Sequence, residues 1–197
     1  MIKRLIAFTT VLSVLLMPVL CAAQEAEEEY KIKFGVGETQ VKIKKMSGDR
    51  WTARIGDDKY VLQAEGKGKY EYKWPGGKLE GRWKSDKFKL KKGEDDFLEL
   101  KFYPDKLKMI RQDSSTQWEI KFKDDRLKVE ENDREIGKVH YYPDTGKLKA
   151  KDNAGVEVAQ MKDSGRLRAV VAPFLLEDAV PIEQRIFWVL LFFTLDK

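Results

Sequence analysis

From Tyr30 onward, apolar and charged residues alternate along the chain with a period of two. Tyr30, Ile32, Phe34 and Val36 alternate with Lys31, Lys33 and Gly35, and Trp51, Ala53 and Ile55 alternate with Thr52 and Arg54. Tyr70, Tyr72 and Trp74 enclose Glu71 and Lys73; Leu98, Leu100 and Phe102 enclose Glu99 and Lys101; Trp118, Ile120 and Phe122 enclose Glu119 and Lys121. Such alternation sends aromatic and aliphatic groups to one face of a strand and Lys and Glu to the other. Between the runs stand turn residues: Ser47-Gly48-Asp49, Gly56-Asp57-Asp58, Gly66-Lys67-Gly68, Pro75-Gly76-Gly77, Ser85-Asp86, and Gly93 to Asp96. Pro104-Asp105, Asp124-Asp125, Asn132-Asp133, Pro143 to Gly146, Asp152 to Gly155 and Asp163-Ser164-Gly165 continue the series. Gly, Asn and Asp tolerate the positive φ of tight turns, and Pro presets the first turn position. The spacing predicts strands of about 6–8 residues and no long helix before residue 168. The fold class is therefore all-β, an antiparallel meander of many short strands rolled around an apolar face.

A longer interval is superimposed on this pattern. Phe88, Leu107, Leu127, Leu148 and Leu167 each follow a turn, about twenty residues apart, which is the length of one strand-turn-strand unit. Around them read Tyr103-Pro-Asp-Lys-Leu107-Lys, Tyr142-Pro-Asp-Thr-Gly-Lys-Leu148-Lys and Lys162-Asp-Ser-Gly-Arg-Leu167-Arg. The segment from Gly137 to Leu167 resembles the YD repeats of RHS-type proteins, in which an aromatic, an Asp, a Gly and a Leu recur around each turn. Tyr142-Pro-Asp-Thr-Gly-Lys-Leu148 is also similar to the MORN-type repeats of bacterial exported proteins. The resemblance spans about thirty residues and departs at Asp124-Asp125-Arg126, which lacks the Gly. It implies a β-hairpin repeat fold and no activity.

One apolar sheet face must be covered. Ile186 to Leu195 is apolar nearly all round, with Pro181 placed to open a helix and Glu183 to favour its positive end. Ten such residues are too few to span a bilayer as a helix, so the mature chain is expected to carry no transmembrane span. Three readings of residues 181–197 stand: a buried helix that fills or caps the rolled sheet, a last sheet strand favoured by Phe, Trp and Val, or a segment lying on a membrane surface.

The N-terminus has a different character. Lys3 and Arg4 precede an uncharged apolar run from Leu5 to Leu20, and Cys21-Ala22-Ala23 supplies a small-residue site with cleavage before Gln24. Residues 1–23 are read as a signal peptide, 24–180 as the β-hairpin repeat domain and 181–197 as its hydrophobic C-terminal segment. A lipoprotein would acylate Cys21, but the bulky Leu20 before it departs from the small residue found there in bacterial lipoproteins. Cys21 is the one Cys, so a mature chain would have no thiol for disulfides, metal ligation or nucleophilic chemistry. Lys and Arg number 38 against 33 Asp and Glu, and residues 1–23 hold only Lys3 and Arg4, leaving 36 against 33, a net +3. That small excess is interleaved along the chain, which does not suit nucleic acid. The expected location is exported, periplasmic or extracellular, associated with the envelope.

Catalytic chemistry is sparse. His140 is the one His, flanked by Val139 and Tyr141, so alternation turns it outward as a solvated strand residue. No Gly-x-Ser-x-Gly, His-Glu-x-x-His or phosphate loop occurs, and turn carboxylates such as Asp57-Asp58, Asp95-Asp96, Asp124-Asp125 and Asp152 lack the density of a calcium loop. No catalytic, cofactor-binding or metal-binding residue is assigned, no cofactor is implied, and the chain is read as a non-enzyme. Tyr70, Tyr72, Trp74 and Trp83 are dense enough to form a stacking face for sugar or peptide, although a core face needs the same alternation. The polar face, with Lys42, Lys44, Lys73, Lys89, Lys91, Lys101, Lys121, Lys123, Lys149 and Lys151, is a solvated surface or a weak anionic-polymer surface. Two function classes remain: a structural or binding module of the envelope whose partner is an unknown envelope component or protein, or a carrier of an apolar, lipid-like ligand within a curved sheet.

Overall fold

The computed structural model describes residues 28–35, 39–112, 116–162, 168–176 and 180–195. The signal-peptide reading of residues 1–23, Cys21, Val36, the turn Asp163-Ser164-Gly165 and Leu167 all fall outside them. Fourteen strands follow one another: β1 (Glu29–Phe34), β2 (Thr39–Met46), β3 (Arg50–Ile55), β4 (Asp58–Gly66), β5 (Lys69–Trp74), β6 (Gly77–Lys84) and β7 (Lys87–Lys92). Then come β8 (Asp95–Phe102), β9 (Lys106–Arg111), β10 (Gln117–Phe122), β11 (Arg126–Glu131), β12 (Arg134–Tyr142), β13 (Lys147–Asp152) and β14 (Glu157–Lys162). A 3-10 segment, Arg168–Leu176, and one α-helix, α1 (Ile182–Leu195), complete the described chain.

Every strand pairs antiparallel with its sequence neighbours, and β1 pairs with β14 to close a barrel. An even number of strands permits an antiparallel seam, which here rests on Ile32↔Met161, Lys33↔Gln160 and Phe34↔Ala159. The turns form where the expected residues stand. Asn132 and Asp133 both take positive φ (47° and 64°), the two-residue hairpin geometry that matches strand twist. β1 ends at Phe34, where Gly35 adopts φ 70°; the last residue of the predicted alternation, Val36, is not among the described residues.

The interior is dictated by the period of two. Large apolar residues occupy the second position of every odd-numbered strand: Tyr30, Trp51, Tyr70, Phe88, Leu107, Leu127 and Leu148. All seven therefore lie near one rim, where odd strands begin and even strands end; this is the near rim, and the opposite one the far rim. The twenty-residue interval is thus one turn of the meander, down one strand and back up the next.

Fourteen strands about 4.8 Å apart, tilted by about 40°, close to a backbone diameter of roughly 28 Å. Subtracting an inward side-chain layer leaves width for two packed helical segments about 8–10 Å apart. Two are present. The 3-10 segment leaves the near rim after β14 and packs along β11 to β14, bringing Leu175 and Leu176 beside Ile136, Asp152 and Asn153 at the far rim. α1 then returns: Glu183 lies by Tyr72, and Phe193 lies between Tyr30 and Trp51 at the near rim, with ring centroids 4.9 and 5.0 Å away. Along its length Phe187 meets Tyr72 and Phe88, and Trp188 meets Trp118 on the other side of the barrel. Residues 185–193 are buried on every side. Of the three readings of this segment, the structure takes the buried helix. A strand would have turned half of its apolar residues to solvent.

Candidate functional site

The aromatic group Tyr70, Tyr72, Trp74 and Trp83 lies on β5 and β6 and faces the interior. Tyr72 is buried, stacks on Trp74 at 5.4 Å, and its hydroxyl donates to the Glu183 carbonyl at 2.5 Å. This bond satisfies a polar group in the core and pins the first turn of α1. Burial, ahead of Tyr60 and Glu183, pushes the Tyr72 phenol far above its ordinary range. Tyr70 and Trp83 each set an edge against Phe88, and Trp83 also meets Phe102. Tyr70, Trp74 and Trp83 stay half-buried toward the rims, so what they present to a ligand is their margins and not an open platform.

Outward positions carry charge, and on β7 to β12 that charge is ordered. Glu119 is buried among Lys106, Lys108 and Lys121 at 3.1, 3.4 and 3.7 Å. Glu130 lies between Lys121 and Lys128 at 2.6 and 2.7 Å, and Glu99 between Lys101 and Lys87 at 3.0 and 3.2 Å. For Glu99 and Glu119 burial opposes the charged form, but Lys101 with Lys87, and Lys106 with Lys108, outweigh it and hold the carboxyls below their ordinary range. For Glu130 the hydrogen bonds from Lys121 and Lys128 come first, with the same result. His140 is half-buried on the outer face with Tyr142 as its ring neighbour, and burial followed by Lys151 lowers its pKa. It meets the expectation of an outward strand residue, though less solvated than the alternation alone implied.

Turn side chains divide between backbone and cations: Asp96 holds Lys89 and Asp125 holds Arg126, while others cap amides. Asp152 Oδ1 accepts from the Val156 amide at 2.8 Å, and Asn132 Oδ1 from the Gln117 amide at 3.0 Å. Among the described residues no group of three or more His, Cys, Asp or Glu is placed to hold a metal ion.

One concavity on the outer wall gathers charge differently. A groove of about 540 Å³ crosses β5, β6 and β7, lined by five cations and three carboxylates together with Tyr70 and the backbone of Gly81. At Gly81 a Cβ would lie 2.1 Å from Phe88 Cζ, so the Phe88 ring occupies the space a side chain there would need. Lys69, Arg82 and Lys89 stand side by side in register across the three strands. Lys89 bonds Asp96, and Lys91 lies 3.8 Å from the same carboxylate. Lys69, Arg82 and Lys84 are exposed and, among the described residues, have no carboxylate within ion-pair distance. Sequence reasoning singled out the aromatic neighbours of this groove and placed Lys89 and Lys91 on the polar face, but did not name Lys69, Arg82 or Lys84, because nothing in a single strand shows which outward cations will meet across β5, β6 and β7. Comparison with family models, with curated proteins and with solved structures gives no match to this chain.

Proposed function

We propose that this chain is an exported, non-enzymatic β-barrel module of the cell envelope, periplasmic or extracellular, that acts as a structural or binding element through its outer wall. The observation that carries the reading is the filled interior: α1 and the 3-10 segment occupy the space in which a carrier would hold an apolar ligand. The outer face supports it as well. A barrel facing lipid carries an apolar outer band, whereas the outward positions here bear Lys and Glu in ion pairs. Export rests on Lys3, Arg4 and the Leu5–Leu20 run, and the β-hairpin repeat resemblance of residues 137–167 fits a repeat-built module.

Titration of the purified protein with a fluorescent fatty acid tests the reading. No stoichiometric uptake by the native protein is expected, and one-to-one uptake without loss of fold would favour the carrier instead. Mass spectrometry of the exported protein should show an N-terminus at Gln24; an intact Met1 to Ala23 would remove the export argument.

A further inference from the structure

We infer that the groove across β5, β6 and β7 binds an acidic, hydroxyl-rich ligand, a short segment of a uronate-bearing polysaccharide. The inference rests on the binding-module reading and names the ligand class it would serve. Its cations are set apart from those of the neighbouring wall. On β7 to β12 most outward lysines are held by Glu99, Glu119 or Glu130, so their charge is already neutralised locally. Lys69, Arg82 and Lys84 are exposed, without a carboxylate in ion-pair range among the described residues, and converge on one concavity. Adjacent strands lie about 4.8 Å apart, so Lys69 and Arg82 together span the width of one sugar ring and its carboxylate. Arg82 can take a carboxylate with two parallel N–H bonds, a geometry Lys cannot offer.

The remaining lining decides which polyanion. Glu65, Glu71 and Glu80 share the groove, and Glu71 is engaged by Lys73 at 2.8 Å. A ligand made of closely spaced phosphates would meet repulsion there, while sugar hydroxyls would donate to those carboxylates. Tyr70 lines the groove beside the Gly81 backbone, while its ring packs inward on Phe88. A planar lipid surface does not reach into a groove, and the large apolar residues exposed among those described, Tyr103 and Val156, do not line it. The volume fits a short oligomer segment, within the usual range of roughly 300–1,000 Å³ for ligand sites.

Isothermal titration of the purified protein with oligogalacturonate, at low and at physiological ionic strength, tests this directly. The comparators are a neutral cello-oligosaccharide, phosphatidylglycerol vesicles and single-stranded DNA. Wild type should bind oligogalacturonate and ignore the neutral sugar, and binding should weaken with salt. The triple variant K69A/R82A/K84A should lose at least tenfold in affinity. A second triple, K42A/R54A/K59A, removes the same charge from exposed cations aligned across β2, β3 and β4, outside the groove, and should bind within twofold of wild type. All six side chains are exposed, so urea unfolding should report both variants folded. Equal losses in the two triples would reduce the effect to net charge and overturn the inference. Absence of oligogalacturonate binding, or tighter binding of vesicles or DNA, would also overturn it. Those results leave the module reading in place, which falls only if the native protein takes up the fatty-acid probe.

Discussion

Removing α1 is the perturbation with the largest expected consequence. Ile186 to Phe193 are eight consecutive apolar residues, each no more than 1% exposed. At about 1.5–3 kcal/mol for each buried large side chain, their transfer from water contributes roughly 12–24 kcal/mol. Denatured chains already bury some of this area, which lowers the figure by about 10–40%. Even so, the loss matches or exceeds a typical domain stability of about 5–15 kcal/mol. It also uncovers the interior faces of Tyr72, Phe88 and Trp118. A chain ending at Val180 should therefore show no cooperative urea transition by tryptophan fluorescence, and should bind an apolar dye that the full chain excludes. A milder cut uses the same logic: Leu190→Ala should cost about 2–5 kcal/mol while the transition stays cooperative. A truncated protein that unfolds with the midpoint and slope of the full chain would refute the reasoning, because the helix would then not be core.

Further expectations concern single contacts. Gly81→Ala puts a Cβ against the buried Phe88 ring and should destabilise by about 1–3 kcal/mol in urea unfolding, with the loss partly recovered in Gly81→Ala/Phe88→Leu. Tyr72→Phe deletes the bond to the Glu183 carbonyl and should cost about 1 kcal/mol, an unchanged midpoint arguing against that contact. Glu99, Glu119, Glu130 and Glu135 are all depressed in the folded state, so the unfolded chain binds their protons first. Their contribution is present above the unfolded carboxylate range near pH 4–5 and is lost as pH falls through the folded values. The urea midpoint should therefore drop on acidification in that window, and less so in Glu119→Gln. His140→Ala should shift stability by no more than about 0.5 kcal/mol, and a several-fold larger shift would contradict its place on the outer face.

Much of the wall is legible in the chain because each strand pairs with its neighbour in sequence. Alternation identifies which residue faces inward, and Gly, Asn, Asp and Pro mark where the direction reverses, so Trp118, Ile120 and Phe122 could be oriented from their own hexapeptide. The exceptions are physical. Gly35-Val36 extends the β1 alternation in sequence, yet Gly35 is the residue that permits the positive φ ending the strand. The twenty-residue interval also extends further than leucines reveal, since Tyr30, Trp51 and Tyr70 hold the same inward second position as Leu107. Closure depends on β1 meeting β14, and no local pattern encodes that pairing. The candidate site was less legible still. It is assembled from three strands, with Gly81 bare because Phe88 fills its side-chain space, and with Lys69, Arg82 and Lys84 brought together with no carboxylate in ion-pair range among the described residues.

The ordered charge on the wall follows from the same neighbour pairing. Lys106, Lys121, Lys128, Lys138 and Lys151 stand directly opposite one another across β9 to β13. Like charges in that relation repel, so each facing pair lowers stability unless a neighbouring carboxylate offsets it. Glu119 and Glu130 lie two residues away on β10 and β11, where each reaches lysines of more than one strand: Glu119 those of β9 and its own β10, Glu130 those of β10 and β11. Glu135 repeats the arrangement with Lys128 and Lys138. Shared carboxylates turn a repulsive row into stitches between strands β9 to β12, the last two of which also pack against the 3-10 segment. Lys42, Arg54 and Lys59 form a comparable row on β2 to β4 with no shared Glu among the described residues, and Lys69, Arg82 and Lys84 lie without one at the groove. Among the described residues the barrel thus divides into a flank of shared carboxylates and a flank where several outward cations stand outside ion-pair range of any carboxylate. An anionic partner that reads charge would meet the second flank first, and the concavity at Gly81 is where that charge gains a shape.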